Sequence, residues 1–373
     1  MAEETADAGV SEESEAAARI AVTREQEGLH DFVRGLTGDD VKSGGWFTKL
    51  VAHALSTYTT KVDASYFQER YRGVPADAVV EQRIRMAARY AAFEGGLSAG
   101  AYTGAIAATI GSVGGASPLT VPAAAATVLV DVAFLTQLQL RLAYDIAVLY
   151  RVPIDVNDPD DLWKLIRVAF TVRGGELAKD GALKAVPVAV RPLVKTFIKG
   201  PVLSAAKGLP VVGKFLLQRN IIKIGIPLVG VPLAVVLNRY TTLVAGRHAR
   251  SVFRNDARIV EVARSLSMKT AHPQLLLWVT WIIISIDGTR SDDETALMRH
   301  LVRSVREDHG VVDDELSELI ELQPAELWRR LDAESGDLGD LVKAAEEVAK
   351  IDGELNARER GLLHDLKLHC RVG

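Results

Sequence analysis

Apolar residues recur along this chain at intervals of three and four. No stretch alternates apolar and polar positions with period two, so the pattern predicts an all-α fold. In "DAVVEQRIRMAARYAAFEG" Val79, Ile84, Ala87 and Ala91 share one helical face and the arginines take the other. Beyond Glu94 that pattern stops. From Gly95 to Val130 there is no charged residue, and Gly96, Gly100, Gly104 and Ala108 stand at i, i+4, i+8 and i+12, a stripe along which another backbone can come close. The segment "SPLTVP", Ser117 to Pro122, breaks the helix, because proline lacks an N–H and restricts the residue before it. A second helix, "AAAATVLVDVAFLTQLQLRLAYDIAVLY", follows. The first of the pair is long enough to cross a bilayer but weakly hydrophobic, and the second carries Asp131 and Arg141 within it. The pair therefore reads as a buried or interfacial hairpin, with membrane insertion as the alternative. "LLLWVTWIIISI", Leu275 to Ile286, is shorter and reads as a core helix.

The C-terminal hundred residues predict helices near 273–286, 291–309, 313–322, 324–333, 338–351 and 356–370. They contain a repeat: "IDGTRSDDETALMRHL" from Ile286 returns as "IDGELNARERGLLHDL" from Ile351. In each copy an apolar helix ends at Ile-Asp, Gly288 or Gly353 supplies the stop, and a new helix begins. Ser291 with Glu294 has the spacing of a capping box, and Asn356 with Glu359 has the same spacing, so these residues read as helix-start devices. Asp287 and Asp352 are less simply explained, because an anion in the last turn faces the negative end of the helix dipole. Either they accept backbone N–H groups in the turn, or the two carboxylates converge on a divalent cation, calcium or magnesium.

Composition adds scale. With 373 residues, 48% hydrophobic content and a mean hydropathy of +0.12, the chain has material for two domains with sizeable cores. The boundaries expected are an acidic disordered tail over 1–28, a helical domain over 29–255, a connecting segment over 256–272 and a second helical domain over 273–373. The tail lacks the basic and apolar regions of a signal peptide. The single cysteine, Cys370, excludes a disulfide framework and fits a reducing cytoplasm.

Charge divides the chain more sharply than hydropathy does. The net charge of −4 conceals a stretch between Asp180 and Asp256 that has no acidic residue, while from Ile286 onward there are 22 acids against 12 bases. Within the basic stretch Arg191, Lys195, Lys199, Lys207, Lys214, Arg219 and Lys223 are interleaved with apolar residues, a pattern suited to an anionic membrane surface. Docking onto the acidic domain is a second use for it. Nucleic acid is the weaker fit, because stacking aromatics are sparse there.

Candidates for chemistry are few. "GLSAG", Gly96 to Gly100, has the letters of a nucleophile elbow but follows a helical pattern, not a strand. The chain has no GxxxxGK[ST] and no HExxH. His364 and His369 read as surface histidines. Glu94, Asp131, Arg141 and Asp145 are charges in the most apolar part of the sequence and should form a buried polar network. Arg141 and Asp145, at i and i+4, are expected to pair locally. Glu94 and Asp131 then remain for a network with other elements, for a lipid headgroup, or for a metal-assisted hydrolytic site.

Two resemblances follow from these residues. "FEGGLSAGAYTG", "VLVDVAFLTQLQLRLAYDIAVLYRV" and "GIPLVGVPLAVVLNRYTTLVAGRHARSVF", in that order over about residues 30–255, resemble the signatures of the EcsC family. Arg151 stands where that family tends to have Gly. The repeat over about residues 270–373 resembles the TerB-like domain of tellurite-resistance proteins, which at matched positions points to Asp287, Glu294, Asp352 and Glu359. The resemblances imply a bacterial, membrane-associated protein and supply location more than mechanism; taken with the charge pattern they lead to the expectation of a non-enzymatic scaffold or stress-response protein at the cytoplasmic face of the membrane, with a protein partner for the acidic domain. A metal-dependent membrane-linked hydrolase using Glu94 and Asp131 is one alternative. A soluble assembly or stress protein with its two domains docked is another.

Overall fold

Proline, glycine and short polar side chains punctuate the helices where the sequence places them. The structure, a computed structural model, describes residues 19–111, 120–170, 230–286, 291–310, 324–334, 336–351, 353 and 355–370. Among these residues every regular element is a helix. The chain divides into two units, Met1–Val252 and Phe253–Gly373.

The first unit begins with α1 (residues 19–34), α2 (Gly38–Ser43) and α3 (Gly45–Thr59). Residues 19–28, expected to belong to the acidic tail, are helical. Val22 and Leu29 are each 1% exposed, so seven-residue apolar spacing anchors a segment whose acidic composition suggests a tail. Thr37 starts α2 with a capping box: its hydroxyl accepts the Asp40 N–H at 3.1 Å, and the Asp40 carboxylate accepts the Thr37 N–H at 2.8 Å. α4 (Ala64–Arg70), α5 (Ala76–Gly111), α6 (Thr120–Leu149) and α7 (Pro159–Ala169) follow.

α6 organises this unit, packing along α5 and against α3, α7 and α4. The α5–α6 pair contains the uncharged run. At 36 and 30 residues these helices are about 54 and 45 Å long. Leu129–Leu149 is apolar and long enough to cross a membrane, but 72% of that window is buried within the fold. Its Leu140 and Ile146 pack in a core shared with Trp46, Phe47, Leu50, Ile84 and Leu165.

α8 (Gly230–Lys269) is 40 residues long, and its residues up to Val252 belong to the first unit. There Gly246 permits a close helix crossing. A Cβ at this position would lie 2.9 Å from Ile84 Cγ1 and 3.2 Å from Leu142 Cδ2.

The second unit takes the rest of α8 together with α9 (Pro273–Ser285), α10 (Asp292–His309), α11 (Pro324–Ala333), α12 (Gly339–Val348) and α13 (Ala357–His369). α9 is the central element, buried along Leu275, Leu276, Trp278, Ile282 and Ile283 and packed by α10, α11 and α12. The expected connecting segment, 256–272, is instead helical as far as Lys269. Its Ile259, Ala263 and Leu266 enter the core of this unit, because their i, i+4, i+7 spacing presents one apolar face.

Candidate functional site

The polar chemistry of the first unit gathers where α1, α3, α5 and α6 meet. Asp145 sits between Tyr144 and Ile146 in the packed half of α6 and is almost fully buried. A carboxylate there must be paired, because a lone buried charge costs several kcal/mol. Arg83 on α5 supplies the pairing: Nε donates to Asp145 Oδ2 at 3.0 Å, and Nη2 donates to the same oxygen. The Tyr58 hydroxyl, at the end of α3, donates to Asp145 Oδ1 at 2.7 Å. Burial pushes the Asp145 carboxyl upward, opposed by Arg83 and the Tyr58 hydrogen bond. Burial and the neighbouring carboxylate push the Tyr58 phenol upward too, so it remains a protonated donor at neutral pH.

Arg141, one turn before Asp145, does not pair with it. Its Nη1 donates to Glu25 Oε1 on α1 at 2.5 Å and its Nε to the Ala54 carbonyl at 3.1 Å, while its guanidinium lies 4.9 Å from the Tyr58 ring centre. The expected local i, i+4 pair is thus replaced by two pairs between helices. Gln137 Nε2 also donates to Glu25 Oε1.

These groups surround a cavity of about 180 Å³. Its polar wall is Glu25, Tyr58, Arg83, Gln137, Arg141 and Asp145, and its apolar wall includes Val22, Met86, Phe134, Leu138 and Leu142. Sequence reasoning found Arg141 and Asp145 but missed Glu25, Tyr58, Arg83 and Gln137. A charged Glu25 in an acidic segment and an arginine on an amphipathic helix carry no mark of the partners they meet on other helices.

Glu94 and Asp131 do not line the cavity. Glu94, on α5, is fully buried and accepts from Asn238 Nδ2 of α8 at 3.1 Å. Asn238 closes the "PLVGVPLAVVLN" segment quoted above. Asp131 is half-buried on α6. A second tie joins α8 to α5, where Arg250 Nη2 donates to Asp77 at 3.2 Å and Nη1 to Glu81 at 3.4 Å. Ser98 lies inside helix α5, without the strand-to-helix turn that a nucleophile elbow requires.

Comparison of the chain with protein-family models, curated proteins and solved structures finds no match. The chemistry of its own residues is therefore the ground for a functional reading.

In the second unit both repeated segments start their helices with capping boxes. Ser291 Oγ accepts the Glu294 N–H at 3.1 Å and the Glu294 carboxylate accepts the Ser291 N–H at 2.7 Å. Asn356 Oδ1 accepts the Glu359 N–H at 2.9 Å, and Glu359 accepts the Asn356 N–H at 2.8 Å. Gly353 has φ of +88°, the left-handed conformation that favours glycine.

One turn of α8 ties both copies down, a feature sequence reasoning missed. Asn255 Nδ2 donates to Asp293 at 2.9 Å, and Arg258 Nη2 donates to the Ile351 carbonyl at 2.9 Å. Asp287 and Asp352 lie outside the described residues, as do Arg191, Lys195, Lys199, Lys207, Lys214, Arg219 and Lys223. Among the described residues no group of three acid, His or Cys side chains is placed to hold a metal ion. His369 stacks on Trp328 at 4.7 Å and meets Asp332 at 2.7 Å, while His364 is exposed. Burial pushes the Cys370 thiol up to about 11, which keeps it protonated and unreactive at neutral pH.

Proposed function

We propose that the chain is a non-enzymatic, membrane-associated scaffold or stress-response protein at the cytoplasmic face of the membrane. Its EcsC-like first unit engages anionic lipid. Its acidic, TerB-like second unit recruits a protein partner, with calcium or magnesium acting through Asp287 and Asp352.

The observation that carries this reading is the outer face of α8. Val236, Tyr240 and Val244 are 61, 64 and 40% exposed, at i, i+4 and i+8. Scattered exposed apolar residues are ordinary, but three in helical register form a stripe. At 100° per residue they span about an 80° arc. Arg239 and Arg247 are exposed beside them, whereas Thr242, Ala245 and Ala249, on the opposite face, are buried. A helix with tyrosine and valine outward between arginines fits the headgroup boundary of an anionic bilayer, where each cation contributes about 1 kcal/mol. The acid-free sequence from Asp180 to Asp256 supports the same partner, since acidic side chains would be repelled there.

The cavity residues favour binding over catalysis. Among the described residues the lining includes no Ser, Cys or His, and its Tyr58 hydroxyl is committed to Asp145.

Flotation with phosphatidylglycerol vesicles tests the proposal. The full chain should float at low salt and float less at 1 M salt, where the screening length falls to about 3 Å. It should not float with neutral phosphatidylcholine. Absence of flotation at either salt would sink the membrane reading.

A further inference from the structure

We infer that the cavity walled by α1, α3, α5 and α6 is a binding site for a small monocarboxylate with a benzene-sized apolar body, its carboxylate accepting from Arg141 Nη2 and Arg83 Nη1. The inference goes beyond the membrane reading and does not depend on it.

Both arginines line the cavity, and each keeps one end of its guanidinium unspent. Arg141 gives Nη1 to Glu25 and Nε to the Ala54 carbonyl. Arg83 gives Nε and Nη2 to Asp145, and Nη2 also reaches the Tyr58 hydroxyl at 3.3 Å. Among the described residues, Arg141 Nη2 and Arg83 Nη1 have no hydrogen-bond partner. They are not sealed off: the Arg141 side chain is 26% exposed and that of Arg83 20%, and both open nitrogens are accessible to water. The two groups also share a neighbour, since the Arg141 guanidinium lies 4.9 Å from the Tyr58 ring centre. A guanidinium donates through a planar fork and accepts nothing, so a ligand that meets these ends must bring acceptor oxygens.

Charge decides which anion. Arg83 faces Asp145, whose side chain is 1% exposed, whereas Arg141 faces Glu25, which is 40% exposed and whose pairing water weakens. Arg141 is therefore the less fully cancelled cation and the main anchor, with Arg83 the second donor. Two carboxylates already stand in the wall, so a ligand with a single negative charge is repelled less than a doubly charged phosphate. The apolar wall, Val22, Met86, Phe134, Leu138 and Leu142, takes the rest of the molecule. At about 180 Å³ the space exceeds the ~150 Å³ of apolar cavities that hold one benzene ring. A benzene-sized body with one carboxylate fits both the volume and the open donors.

Benzoate and benzamide are the probes, because they share a shape and differ in charge. Ligand-observed NMR titration of the full chain at neutral pH should show benzoate binding about tenfold more tightly than benzamide, since hydrogen bonds between charged groups are the stronger ones. Glu25→Gln removes the competing carboxylate but keeps an acceptor for Arg141, so it should tighten benzoate several-fold and leave benzamide unchanged. Arg141→Met should lower benzoate to the level of benzamide. Leu138→Trp fills the apolar part of the cavity and should abolish binding of both. The wild-type comparison and Glu25→Gln keep the inference testable if Arg141→Met fails to fold. The inference is overturned if neither probe binds, which would mean a water-filled space, or if benzoate has no advantage over benzamide in the wild-type chain. Benzoate affinity that does not rise in Glu25→Gln, a benzoate preference that survives in Arg141→Met, or binding that persists in Leu138→Trp also overturns it.

Discussion

Asp145 and Arg83 illustrate what a single buried carboxylate demands of its surroundings. Removing one member of such a pair strands the other, and the stranded charge, more than the lost attraction, sets the cost. Arg83→Met should therefore destabilise the first unit by about 3 kcal/mol. Adding Asp145→Asn to it should cost less than the sum of the two single changes, because the second removes the stranded charge. Chemical unfolding of the three variants checks this, and strict additivity would contradict it. The aspartate's need for a partner was legible in the sequence, since a charge in "LRLAYDIAVL" must be paired. The partner was not. Arg141 at i−4 is the nearest cation along the chain, but Arg83 and Asp145 are 62 positions apart and meet only through the crossing of α5 and α6. Glu25 lies further away still, 116 positions from Arg141.

At the scale of elements, periodicity located helices better than it located their ends or their company. α9 read as a core helix from its apolar run, and it is the buried centre of the second unit. The capping pairs Ser291 with Glu294 and Asn356 with Glu359 read correctly as helix starts because capping is a short-range hydrogen-bond pattern. α1 was hidden because Val22 and Leu29 are separated by charged residues, and the continuation of α8 through 256–269 because charged residues interrupt its apolar face of Ile259, Ala263 and Leu266. Helix crossings were hidden as well, and Gly246 marks one. Gly246→Ala would gain up to about 1 kcal/mol of helix propensity. It would also drive a methyl group into Ile84 and Leu142, an overpacking cost of about 1–3 kcal/mol. The clash should win, and thermal unfolding should show a lower midpoint. A raised midpoint would mean that α8 can move away from α5 and α6 at little cost.

For the whole molecule, the division into a basic-to-apolar first part and an acidic second part was plain in the sequence, because charge counts need no geometry. Which cations face outward did need geometry. Arg250 belongs to the same acid-free stretch as Arg239 and Arg247, yet it is spent on Asp77 and Glu81, while the other two stand exposed beside the Val236, Tyr240 and Val244 stripe. The membrane proposal therefore rests on one face of α8, and that face can be interrogated directly. Cys370 is buried and its thiol is held up to about 11, so an added surface cysteine can be labelled selectively. Tyr240→Cys carrying an environment-sensitive fluorophore should show a blue-shifted, brighter emission on addition of phosphatidylglycerol vesicles. The same label at the exposed α4 position, through Glu69→Cys, should not respond. An unchanged spectrum at position 240 under conditions where the protein floats, or an equal response at both positions, would contradict the assignment of this face to the membrane.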